Sequence, residues 1–185
     1  MQEAEKPLRF EEVILPHLNA AYNLARWLTR NDHDAEDIVQ EACSRALKYF
    51  SSFRGQNSRT WLLTIVRNTG YDWMKQNRPR DQVTFLDDDP QSDSIDPLDS
   101  LARESSTPET LLLQRADREM LMKALEGLPV EFKEVVILRE LEEMTYKEIS
   151  SICNVPLGTV MSRLARGRKL LQQGLANWDN QGGLK

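Results

Sequence analysis

Between Phe10 and Thr29 the apolar positions fall at 10, 13, 14, 18, 21, 24, 25 and 28, close to a 3.6-residue period, which predicts one amphipathic helix. A second helix is predicted over DAEDIVQEACSRALKYF, with Asp34 as its cap and acidic residues in the first turn, where the helix dipole favours them. Its buried stripe reads Ala35, Ile38, Val39, Ala42, Ala46, Leu47 and Phe50. Turn-forming residues from Ser51 to Asn57, Gly55 among them, interrupt the pattern. A third helix, SRTWLLTIVRNTGYDWMKQNR, stops before Pro79 because the residue preceding a proline is pushed out of the helical region.

From residue 81 to residue 107 the periodicity fails. Pro90, Pro97, many Ser and Asp and only scattered apolar residues cannot bury enough surface to offset ordering entropy, which predicts a flexible acidic linker. Four short helices are expected beyond it. The first runs from Pro108 to about Gly127, and Pro129 opens the second, VEFKEVVILREL. Thr145 and Glu148 have the spacing of a capping box at the start of YKEISSI. Thr159 caps VMSRLARGRKLLQQGLANW, and no β pattern or internal repeat is present. The expected fold class is all-α: two small helical domains, an N-terminal bundle over 8–80 and a C-terminal four-helix domain over 108–178.

A net charge of −5 argues against a nucleic-acid partner until the charge is located. Nine acidic residues and one base, Arg103, lie between Asp81 and Glu109, so that segment carries −8 and the remainder +3. Local fields rather than the total steer a polyanion. From Thr159 to Leu170 the bases are Arg163, Arg166, Arg168 and Lys169, without an acid.

The run TYKEISSICNVPLGTVMSRLARGRKLL combines a capped helix, a turn and a second helix. This is the spacing of a helix-turn-helix, whose second helix lies in the major groove. Ser150 and Ser151 are small enough to face the inter-helix contact, and Asn154 suits a left-handed turn position. Val160, Leu164 and Leu171 mark the buried stripe of the second helix, while Ser162 and Arg166 share another face. Arg54, Arg59, Arg67, Lys75, Arg78 and Arg80 form a second basic cluster, interleaved with Trp61, Tyr71 and Trp73. That mixture suits unpaired bases, which stack on aromatic rings, although Trp61 reads more naturally as core. By contrast, Asp34, Asp37, Gln40, Glu41 and Arg45 give the second helix a mostly acidic face, suited to a basic protein surface.

Taken together, DAEDIVQEACSRALKYF, SFRGQNSRTWLLTIVRNTGYDWMKQNRPR and LPVEFKEVVILRELEEMTYKEISSICNVPLGTVMSRLARGRKLL resemble sigma factors of the extracytoplasmic-function group. The resemblance implies a transcription initiation factor, not an enzyme and without cofactors, that binds core RNA polymerase and directs it to promoters. It implies that Asp34, Asp37, Gln40 and Glu41 face the clamp helices of the largest polymerase subunit, with the flap as a second polymerase contact. Phe53, Asn57, Ser58 and Arg59 would form a loop pocket for a flipped base of the minus-ten element, with Asn68, Asp72 and Lys75 beside it on the helix. Thr159, Ser162, Arg163, Arg166 and Arg168 would read the minus-thirty-five element in duplex form. An anti-sigma protein is an implied partner. Two positions depart from the family's pattern: Met161 stands where many relatives carry a base, and Asn154 replaces a common glycine.

Two other readings fit part of the sequence. His33-Asp34 invites comparison with metal-dependent phosphohydrolases, but His17 is the only other histidine, so a histidine-rich site cannot be assembled. A free-standing helix-turn-helix regulator would instead bind duplex DNA tightly without polymerase. The charged N-terminus lacks the apolar stretch of a signal peptide and no segment suggests membrane insertion, so the expected location is the cytoplasm. Cys43 and Cys153 are read there as reduced and buried.

Overall fold

The computed structural model describes residues 9–77 and 108–182, and in the second stretch the side chains of residues 117–178. The segment 81–107, read above as an acidic linker, lies outside the described residues. The described chain is helical, with no strand among those residues.

Where one helix was expected over residues 10–29, there are two. Pro16 falls at the start of a 3-10 turn, Leu15–His17, separating α1 (Phe10–Ile14) from α2 (Leu18–Thr29). A proline has no N–H for the helical ladder and its ring crowds the preceding turn, so the chain tightens there. α3 (Asp32–Tyr49) starts two residues before the expected cap: Asn31 is the N-cap, its side chain accepting from the Asp34 N–H. α4 (Ser58–Asn77) forms where the third helix was expected, and the predicted stop before Pro79 lies outside the described residues.

α2, α3 and α4 pack against one another around Leu24, Leu28, Ile38, Leu62, Leu63 and Val66, all buried. Ala21, Ala25, Ala35, Ala42 and Ala46 are buried too, and their small side chains let the three helices approach closely. Leu47 departs from the expected stripe and is 59% exposed.

The second unit comprises α5 (Pro108–Glu126), α6 (Val130–Val136) continued by a π-helical turn (Ile137–Leu141), α7 (Tyr146–Cys153) and α8 (Leu157–Gly182). The capping box at Thr145 is present in full: the Thr145 Oγ1 accepts from the Glu148 N–H, and Glu148 accepts from the Thr145 N–H. Asn154 ends α7 with φ 53° and ψ 50°, the left-handed conformation its short polar side chain tolerates. α8 begins two residues earlier than expected, which places Thr159 in its first turn rather than at its cap. Val160 and Leu164 are buried beneath it, together with Ile137, Leu138, Ile149 and Ile152. α8 also lies so close to α6 that a Cβ on Gly167 would come within 2.8 Å of Val136 Cγ2.

The two units are not held apart. α4 packs along α7 and α2 touches α6, giving one continuous body.

Candidate nucleic-acid interface

The residues expected to meet DNA divide into two groups: those turned into the seam between the units, and those left facing solvent.

Asn57 sits at φ 46° before α4, and its Oδ1 accepts from the Thr60 N–H, so it caps that helix. Its amide nitrogen crosses to Glu148 Oε1 at 2.8 Å. Ser58 Oγ lies 2.9 Å from His17 Nε2, and burial, with the Arg59 charge, lowers the pKa of that imidazole and keeps it neutral. Arg59 donates to Glu142 Oε2 at 2.5 Å, while Asn23 reaches the other oxygen of that carboxylate at 3.3 Å. Phe53 is half-buried against Trp61, 4.8 Å between ring centroids, and against Phe50 at 6.0 Å. The aromatic cluster thus anchors the base of the loop.

Arg67 occupies the centre of the seam. It makes a two-pronged contact with Glu134, Nε to Oε2 at 2.8 Å and Nη2 to Oε1 at 3.1 Å, and stacks on Tyr71 at 4.1 Å. Glu134 is fully buried, and Arg163 Nη1 approaches its Oε1 at 3.8 Å from the other side. One carboxylate from α6 therefore pairs with a base from α4 and with a base from α8. Burial would lower the Arg67 pKa, but the hydrogen bonds and charge of Glu134 raise it and keep the guanidinium ionised. Tyr71 is pushed up by burial and by Glu134. Cys153 lies in the same environment, its thiol raised to about 12 by burial first and Glu134 second, so it is protonated and unreactive near neutrality. Burial also raises the thiol of half-buried Cys43.

The solvent-facing group is smaller. On α4, Asn68, Asp72 and Lys75 are exposed on one stripe, with Asp72 held by Arg45 at 3.0 Å. On α8, Met161, Ser162, Ala165, Arg166 and Lys169 are exposed on one stripe. Arg163 is turned inward as described, Arg168 is paired with Glu140 at 2.5 Å, and Thr159 is half-buried. Of the five residues expected on this helix, Ser162 and Arg166 keep an outward position without an ion pair among the described residues. Ser150 faces inward, its hydroxyl donating to the Val155 carbonyl at 2.6 Å, whereas Ser151 is exposed and bonds back to Lys147.

α3 presents Asp37, Gln40 and Glu41 to solvent, with Asp34 half-exposed beside them. Arg45 braces Glu41 at 2.8 Å, and exposed Leu47 adds an apolar spot further along the helix. Sequence reasoning missed Glu134, Glu142 and Glu148 as partners of the basic residues. The Glu148 spacing to Thr145 was a visible signal, but only for its capping role.

Comparison with known proteins follows this division of the chain. Residues 13–80 match the family described as Sigma-70 region 2, and residues 118–171 match Sigma-70, region 4. The chain is 32% identical over 172 residues to the ECF RNA polymerase sigma factor SigE of Mycolicibacterium smegmatis, covering 93% of this chain and 63% of that one. It is 32% identical over 146 residues to the ECF RNA polymerase sigma-E factor of Escherichia coli, covering 75% and 72% of the two chains. The structure resembles that of the sigma factor RpoE from Bartonella quintana, solved in complex with the anti-sigma factor NepR. That likeness has a TM-score of 0.66 and 30% identity over 90% of this chain and 96% of the other. CnrH, solved with the cytosolic domain of CnrY, shares the fold at a TM-score of 0.63 and 19% identity, over 91% and 88% of the two chains.

Proposed function

The chain belongs to the extracytoplasmic-function group of RNA polymerase sigma factors, non-enzymatic transcription initiation factors, and on that premise we propose a division of labour among its surfaces. The acidic face of α3, Asp34, Asp37, Gln40 and Glu41, docks on core polymerase. Asn57, Ser58 and Arg59, with Asn68, Asp72 and Lys75, engage the minus-ten element, and Phe53 supports their loop from beneath. The outward stripe of α8, Ser162 and Arg166 foremost, reads the minus-thirty-five element, while Arg163, Arg168 and Thr159 position that helix until their present partners are exchanged. The protein acts in the cytoplasm, where its relatives' polymerase is found, and no described helix is long and apolar enough to cross a membrane.

Geometry adds a requirement. Two elements about 25 base pairs apart are separated by about 85 Å of B-form duplex at about 3.4 Å per pair. A compact chain of this size has a radius of gyration of about 16 Å, or about 40 Å across. The packed form cannot touch both elements together. The 30 residues between α4 and α5 can span up to about 100 Å when extended, so separation of the units is within reach of the chain. The form seen here is accordingly the free protein, in which Glu142 and Glu148 occupy the side chains that would meet the minus-ten strand. It follows that the free protein binds duplex promoter weakly, and specificity arises in the holoenzyme.

The observation that carries this reading is the conjunction in one chain of the two matched regions, in order, with an outward basic stripe on the second helix of the helix-turn-helix. The test is co-elution of the purified protein with bacterial core polymerase, followed by run-off transcription on fragmented genomic DNA. Discrete start sites are the expected result. Failure of the folded protein to bind active core would favour a free-standing regulator.

A further inference from the structure

We propose that Met161 is a specificity-determining residue that reads the C5-methyl group of a thymine in the upstream promoter element. The proposal rests on α8 being the reader of that element, as argued above. The outward face of α8 is short of long side chains that could do the reading. Arg163 is drawn back to Glu134 and Arg168 to Glu140, and Ser162 and Ala165 are small. Met161 and Arg166 remain, five positions and so about 140° apart, at the two edges of the exposed stripe, with Lys169 nearer the helix middle.

Met161 is 48% exposed, and one turn before it Leu157 is 44% exposed, at the end of the helix that a helix-turn-helix offers to base edges. Both belong to the large apolar side chains left exposed among the described residues. Further along α8 stand the exposed bases Arg166 and Lys169, and the helix has no acid from Leu157 to Lys169, so its charge complements a phosphate backbone rather than a basic protein surface. In the major groove thymine is the base that offers an apolar group, and an apolar side chain is its natural partner. A thioether with three rotatable bonds adapts to that contact without demanding a fixed hydrogen-bond geometry. Arg166, by contrast, suits the paired acceptors of guanine. The stripe thus predicts an element with a thymine and a guanine contacted by neighbouring turns of one helix.

Deoxyuridine differs from thymidine only in lacking that methyl, which allows a direct test in the holoenzyme. On the promoter identified by run-off transcription, each upstream thymine, on either strand, is replaced singly by deoxyuridine. Initiation is then measured with wild type, Met161→Ala and Met161→Leu, after equal melting temperatures have shown that all three are folded. One thymine is expected at which the replacement lowers wild-type initiation about three- to fivefold, the size of one buried methyl. Met161→Leu should keep that sensitivity and Met161→Ala should lose it. Sensitivity that persists undiminished in Met161→Ala, or none at any upstream thymine, would overturn the proposal. So would Met161→Ala weakening core binding instead, which would make the exposed pair a protein contact. Arg166→Ala separates the two claims: loss of promoter use there, with deoxyuridine neutral throughout, leaves α8 as the reader and removes Met161 from it.

Discussion

The seam between the units and the outward stripe of α8 both present arginine, yet they obey different energetics. In the seam, Arg67 and Arg163 converge on Glu134, a carboxylate with no exposed surface, and the charges are held by geometry. On the stripe, Arg166 lies 5.9 Å above the Phe132 ring and otherwise faces water. Removing one member of a buried pair strands the others in a poor dielectric, whereas removing a surface base costs the fold almost nothing. The first kind of arginine sets which conformation the free protein adopts. The second kind is available to a ligand without prior rearrangement.

The largest predicted effect tests the buried side. Glu134→Ala leaves two guanidinium groups facing an apolar gap, and should cost about 3–5 kcal/mol, read as a marked fall in melting temperature. A change below about 1 kcal/mol would show that the seam charges are solvated rather than coupled. Next, Arg166→Ala should reduce run-off transcription from a matched promoter by about tenfold, as expected for about 1–3 kcal/mol of lost base discrimination, with melting unchanged. Unchanged transcription would remove Arg166 from recognition. Asp37→Arg, on the exposed face of α3, should weaken competition for core polymerase and leave circular dichroism and melting as in wild type. Equal competition would mean that the polymerase docks elsewhere.

The smallest effect concerns acid. Glu148 has its pKa lowered, first by the Thr145 N–H and then by Asn57, so its ionised form favours the folded, closed state. That contribution is present above the ordinary carboxylate value of 4.5 and is lost as pH falls through the depressed one. Acidification should therefore loosen the Asn57 contact in wild type, followed as a lower protection factor of the Thr60 amide relative to its intrinsic exchange rate, and Glu148→Gln should flatten that dependence.

How much was legible beforehand follows from the same contrast. The capping box at Thr145, the left-handed Asn154 and the buried Val160–Leu164 stripe are set by residues within a few positions of one another, and the sequence pattern finds them. The break at Pro16 and the Asn31 cap were missed although local, because the apolar period runs across the first and Asp34 competes for the second. The seam was out of reach for another reason. Arg67 and Glu134 are 67 positions apart, Arg59 and Glu142 83, and Asn57 and Glu148 91, and no periodicity links them. A basic residue looks the same in sequence whether it will meet a phosphate or a carboxylate, which is why Arg163 and Arg168 were placed with Arg166.

The central claim is that a sigma factor closed across this seam opens when it joins the polymerase. It is tested most directly by energy transfer between dyes at Glu36 on α3 and Gln172 on α8, both exposed, measured before and after adding core polymerase and promoter. The account predicts efficient transfer in the free protein and its loss on holoenzyme formation. Transfer that stays high while the same holoenzyme transcribes from discrete start sites would contradict it.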